Sequence, residues 1–132
     1  MKSLFFIIGL VALGSCKKET VIEKMEGTWE LRKSVSGWAG THNYPPGNGN
    51  TIRFNNNTYT TQTKSADSVY TFSGTFDVYT GKACSSSTEQ QLIRFNGDSL
   101  PSNLILSNNE LTIGSTDCIA DGGTVTYQKI GN

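Results

Sequence analysis

From residue 27 to the end of the chain, apolar and polar positions alternate in short runs, and clusters of Asn, Gly, Ser and Asp separate the runs. Alternation with a period of two puts successive side chains on opposite faces of a strand, and turn signals every roughly 8–12 residues are the signature of an all-β sandwich or barrel. Eight strands are predicted. The first, 28–36, sets Trp29, Leu31 and Val35 on one face and Glu30, Arg32 and Ser34 on the other. A long loop, 37–49, follows, with Pro45-Pro46-Gly47 and no regular pattern. The second strand, 51–54, points Ile52 and Phe54 inward, and Asn55-Asn56-Asn57 turns the chain, since Asn tolerates positive φ. The third strand is 58–63. The fourth, 68–79, gathers Tyr70, Phe72, Phe76 and Val78 on one face around Gly74, a position read as a bulge or bend that a closing barrel needs. Strands at 89–95, 103–107, 110–114 and 124–130 complete the set. Asn96-Gly97 is a hairpin signal, Asn108-Asn109 turns between the sixth and seventh strands, and Gly122-Gly123 precedes the last. Short connections imply antiparallel neighbours. No repeat or linker divides 27–132, which is expected to be one domain.

The other end of the chain has a different texture. After Met1-Lys2-Ser3 comes an apolar run at 4–13, LFFIIGLVAL. It is shorter than the about 20 residues of a membrane-spanning helix and fits the apolar region, about 7–15 residues, of an export signal. Leu13-Gly14-Ser15-Cys16 resembles the bacterial lipobox. The resemblance implies a removable signal peptide at 1–15 and makes Cys16 the lipid-anchored first residue of the mature protein. Residues 16–26 then form a lipidated cysteine and a polar tether, with a short helical turn near 21–25. Such a protein belongs in the cell envelope, as an outer-membrane lipoprotein, with the membrane as its first partner.

Lysine plus arginine and aspartate plus glutamate each number 11, so the formal net charge is zero, and no basic patch suggests nucleic acid. Export places Cys84 and Cys118 in an oxidising compartment, where one disulfide between them is the natural expectation. The alternative, a reactive thiol, needs an imidazole or cations nearby, and the only histidine, His42, is remote in sequence.

Gly27-Thr28-Trp29 resembles the G-x-W that opens lipocalin and calycin barrels, and the whole pattern is similar to the lipocalin-like lipoproteins of Bacteroidetes. The matching residues are Gly27, Trp29, Leu31, Ile52 and Phe54, a hairpin at 106–111, and Thr126-Tyr127-Gln128-Lys129 in the last strand. The resemblance implies an eight-stranded antiparallel up-and-down barrel. It makes Trp29 the plug of the closed end and Lys129 the basic residue packed across it, where arginine is the commoner and stronger partner. Asp67-Ser68-Val69 and Asp98-Ser99-Leu100 look like the O-glycosylation acceptor of the same bacteria, which implies sugars on Ser68 and Ser99.

Catalytic chemistry is not suggested. His42 stands alone in a Gly/Pro/Asn loop. No tight Cys/His spacing supports zinc, Asp117 and Asp121 merely flank Cys118, and no phosphate-cradling or metalloprotease motif occurs. The chain is therefore read as no enzyme, without metal or cofactor. Binding is the better expectation, by analogy with the fold. Eight-stranded barrels either fill with side chains or hold one small ligand. Tyr59, Tyr70, Phe72, Phe76, Leu92, Leu104, Leu106, Leu111, Ile113 and Tyr127 are the candidates for the interior or the second layer. In a hollow barrel, Tyr59, Tyr70, Phe72 and Phe76 would line a site for a small apolar or amphipathic molecule, with Trp38 and Tyr44 gating its mouth. Such a site needs about 300 Å³ or more. The alternative is a filled barrel acting as a protein-interaction or inhibitor module through its outer surface and loops.

Overall fold

The computed structural model describes residues 18–132, so the expected signal peptide at 1–15 and Cys16 lie outside the described residues. A short helix, α1 (Val21–Met25), opens the described chain. Thr20 caps it: its hydroxyl accepts from the Glu23 N–H while the Glu23 carboxylate accepts from the Thr20 N–H. Nine strands follow: β1 (Gly27–Ser36), β2 (Gly40–Asn43), β3 (Thr51–Asn55), β4 (Thr58–Ser65), β5 (Ser68–Gly81), β6 (Gln90–Phe95), β7 (Ser102–Leu106), β8 (Glu110–Ser115) and β9 (Thr124–Gly131). They form one antiparallel sheet, and the pairing of β1 with β9 closes it into a ring.

The sequence predicts eight strands and the structure has nine; β2 lies inside the expected loop. Its residues, Gly-Thr-His-Asn, are all exposed, so no apolar alternation marks it. β1 pairs with β9 over Thr28–Val35, which occupies one of its edges. β2, opposite residues 33–36, and β3, opposite residues 27–30, therefore share the other edge as one interrupted strand. The chain leaves β1 where the Tyr44 N–H bonds the Arg32 carbonyl and returns where the Leu31 N–H bonds the Asn50 carbonyl. Between these points Pro45 and Pro46 have no N–H to give a ladder, and Gly47 and Gly49 take φ of +79° and +78°.

Two local expectations are corrected. Val35 does not share a face with Trp29 and Leu31. The register slips between Leu31, opposite Tyr127, and Lys33, opposite Thr126. This bulge at Arg32 shifts the alternation by one, so Ser34 turns inward and Val35 outward. Gly74 is not a bulge, because the β4–β5 ladder runs unbroken through it. It faces Tyr59 across the strands, and a Cβ there would come within 2.9 Å of the Tyr59 ring.

The core packs at the end of the ring where β1 begins. Met25, Trp29, Phe54, Phe76, Ile93 and Leu111 are almost completely buried there, and Phe54 meets Phe76 edge-on at 5.0 Å. Trp29 Nε1 donates to the Met25 carbonyl at 2.7 Å, which ties α1 to this end, and Lys129 Nζ stands 5.5 Å from the indole centre. Gly27 has φ +117°, and a side chain there would collide with the Gly131 carbonyl and the Lys129 side chain. Cys84 and Cys118 form a disulfide that joins the β5–β6 connection to the β8–β9 connection. In chain-entropy terms a cross-link of this span is worth about 4 kcal/mol. It braces the thinnest wall of the ring, between β6 and β7, where only Leu92–Asn103 and Ile93–Ser102 pair.

Gly27→Ala combines a left-handed backbone with a backbone collision. It is expected to cost on the order of 3 kcal/mol, measured as a lowered denaturant midpoint; an unchanged midpoint would refute this account of the seam.

Candidate functional site

Above the packed floor, the interior residues no longer fill the ring. Ile52, Tyr59, Thr61, Phe72, Phe95, Ile113, Val125 and Tyr127 line an open apolar hollow of about 250 Å³. They come from strands all around the ring: β3, β4, β5, β6, β8 and β9. A second hollow of about 430 Å³ adjoins it, lined by Leu31, Tyr44, Asn50, Thr63, Lys64, Ser65 and others. Thr61 and Tyr127 line both.

The second hollow exists because the loop at 44–50 leaves the wall. The β3–β4 ladder ends at Thr51–Gln62, and beyond it the Lys64 N–H donates to the Asn50 side chain, at 2.8 Å, instead of to a strand. β2 does not pair with β4, so the wall between them is open. Hydroxyls gather at this opening. Ser34, turned inward by the bulge, meets the Tyr44 hydroxyl at 3.4 Å. Burial, reinforced by the nearby Tyr44, raises the Tyr127 pKa, and burial with Asp98 raises that of Tyr59. Both phenols stay neutral and can donate hydrogen bonds at physiological pH.

Glu30 holds the excursion in place. It is only 4% exposed, although the strand pattern puts it on the outer face. The loop folds back over it: the Gly47 N–H donates to its carboxylate at 3.1 Å and the Gly49 N–H at 3.5 Å, and the Arg32 guanidinium bonds it as well. Asn48 ties the loop to the Leu31 and Pro45 carbonyls, at 2.8 and 2.7 Å. Burial alone would raise the Glu30 pKa, but the Gly47, Arg32 and Gly49 hydrogen bonds and the Arg32 charge outweigh it and hold the carboxyl below its ordinary value.

The predicted site residues separate into groups. Tyr59 and Phe72 line the inner hollow and Tyr44 the outer one. Phe76 is 2% exposed and belongs to the packed core beneath the cavity. Trp38, 88% exposed at the β1–β2 turn, and Tyr70, 64% exposed at the start of β5, line neither hollow. His42 is exposed and packs its ring 5.3 Å from that of Tyr44. Ser68 and Ser99 are both exposed. Thr61, Val125, Asn50 and Lys64 carry no motif; only the strand register and the break at 44–50 bring them together. Among the described residues, the one group of possible metal ligands is Cys84, Asp117 and Cys118, whose sulfurs are already spent in the disulfide. Compared with models of protein families, with curated proteins and with solved structures, the chain has no significant match.

Glu30→Gln removes the charge that the loop N–H groups bind, and is expected to cost about 1–3 kcal/mol at neutral pH. A lowered folded pKa means that Glu30 stabilises above its unfolded value and that this contribution is lost as pH falls through the folded value. The melting temperatures of wild type and variant should therefore differ at pH 7 and converge as pH falls below the ordinary glutamate value of about 4.3 and through the lowered folded value; a gap that persists in strong acid would count against the loop clamp.

Proposed function

We propose that the protein is a lipid-anchored envelope protein whose closed sheet is a lipocalin-like barrel, and that it binds one small amphipathic molecule. The observation that carries this reading is the join at Thr61 and Tyr127 between an apolar hollow and an opening rich in hydroxyls. The apolar part of the ligand occupies the inner hollow. Its polar end reaches the opening, where Tyr127, Tyr44 and Thr63 offer hydrogen bonds. The inner hollow, about 250 Å³, falls just below the about 300 Å³ of small-molecule sites and the outer, about 430 Å³, exceeds it, which favours a compact ligand that uses both. The stacking of Trp29, Lys129 and Gly27 at the floor supports the lipocalin-like assignment, and the lipobox supports the anchor at Cys16. A second reading, action on another protein through the outer surface, is favoured by Trp38, which projects 88% exposed from the β1–β2 turn.

Titration with the apolar dye N-phenyl-1-naphthylamine separates the two readings. Fluorescence should rise saturably with the wild-type protein. Thr61→Trp, which fills the join, should weaken binding at least about tenfold, or about 1.4 kcal/mol. Absence of dye binding, or indifference to Thr61→Trp, would leave the outer-surface reading in possession. Cys16→Ser should move the protein from the membrane to the soluble fraction of cells; membrane retention would overturn the anchor.

A further inference from the structure

β5 is a long strand whose first half pairs along one edge and whose second half pairs along the other. Its pairing with β4 covers Ser68–Thr75, whereas its pairing with β6 begins at Phe76. The direction of the backbone groups along it follows from two bonds. The Phe76 N–H points to β4, where it bonds the Asn57 carbonyl, and the Thr75 carbonyl points to the other side, where it accepts from Asn96. Backbone groups alternate along a strand. Val69, Thr71 and Ser73 therefore turn their N–H and C=O groups to the open edge, and no hydrogen bond covers those groups there.

Natural sheets protect such edges with charges, proline or bulges. Residues 68–74, SVYTFSG, contain no charge and no proline, and their ladder with β4 is regular. The segment also exposes large apolar side chains: Val69 54%, Tyr70 64% and Phe72 62%. Tyr70 and Phe72 share a face with the buried Phe76, yet the wall that buries Phe76 does not extend to them.

We propose that this edge pairs with the same edge of a second copy, in antiparallel register about a two-fold axis through Thr71. Self-complementarity selects a second copy over other partners. With Thr71 opposite the partner's Thr71, the free groups of Val69 meet those of the partner's Ser73, and each pair exchanges both hydrogen bonds. The same register sets Tyr70 opposite the partner's Phe72, and Phe72 opposite the partner's Tyr70, in the close non-hydrogen-bonded positions. Four exposed rings then cover one another on one face, the kind of aromatic cross-strand pair that stabilises antiparallel sheets. No like charges meet anywhere in the segment. A contact made from one strand edge falls at the small end of specific interfaces, below about 1,200 Å² in total, so the dimer is a weak one.

Sedimentation velocity on the soluble Cys16→Ser protein, over about a hundredfold range of concentration, tests this, because self-association follows mass action. Reversible dimerisation is expected. Thr71→Pro removes the central N–H without touching the β4 ladder, and Thr71→Lys sets two like charges on the axis. Each should weaken the dimer at least about tenfold while far-ultraviolet circular dichroism and dye binding stay unchanged, and Phe72→Ser should weaken it through the lost ring pair. A monomer throughout overturns the proposal, as does a dimer indifferent to Thr71→Lys; the Lys variant decides the question should the Pro variant fail to fold.

Discussion

Everything in this molecule depends on β1 having both of its edges occupied. A strand has two, and β1 gives one to β9 and divides the other between β3 and β2. That double use turns an open meander into a ring, and only a ring has an interior. Val125 and Tyr127 on β9 can face Ile52 on β3 because β1 stands between the two strands and joins them. The start of the seam is correspondingly tight. Lys129 and the Gly131 carbonyl occupy the space that a side chain at position 27 would need, and the indole of Trp29 is held between the Met25 carbonyl and the Lys129 ammonium. Glycine at this point is a requirement of closure.

The site arises from two departures from regularity, one on β1 and one in the interrupted strand, β2 and β3, beside it. The bulge at Arg32 turns Ser34 inward, and the excursion at 44–50 takes one wall out of the ladder. Glu30 links them. It lies two residues before the bulge, pairs with the Arg32 side chain, and binds the N–H groups of the loop that has left the wall. Were β2 and β3 one continuous strand, the chain at 44–50 would stay in the wall and narrow the opening beside Lys64. A buried carboxylate with several donors thus helps to shape a cavity whose lining it does not join.

Much of the fold was legible in the sequence, and the parts that were not share a cause. The strand positions followed from alternation and from Asn/Gly turns, and the pairing of Cys84 with Cys118 from there being two cysteines in the domain. α1 fell where the helical turn was expected. β2 was invisible because Gly40-Thr41-His42-Asn43 has no buried face. Val35 was misplaced because a bulge shifts the register without any mark in the pattern around it. Of the two readings of Gly74, bulge or bend, the unbroken ladder removes the bulge, which falls at Arg32 instead; Gly74 makes room for the Tyr59 ring. Tyr70 was assigned to the interior by its phase along the strand, but phase says nothing about where the neighbouring wall ends. Glu30 was read as an outer-face residue because its burial comes from a loop seventeen to nineteen positions away. Local pattern reports what one strand does, whereas bulges, wall ends and folded-back loops are settled between segments.

The position of α1 has a consequence for how the molecule would work on a surface. The chain enters the fold at the plugged floor, where α1 packs beside Lys129 and the β7–β8 turn, and both hollows and the free half of β5 lie toward the opposite ends of β1 and β4. On the proposed anchored reading, a lipid at Cys16 would attach on the side of the plugged floor, where the described chain enters the fold. On that reading, the proposed ligand would enter from the side away from the anchor. Anchored neighbours, confined to two dimensions, would meet far more often than the same molecules free in solution.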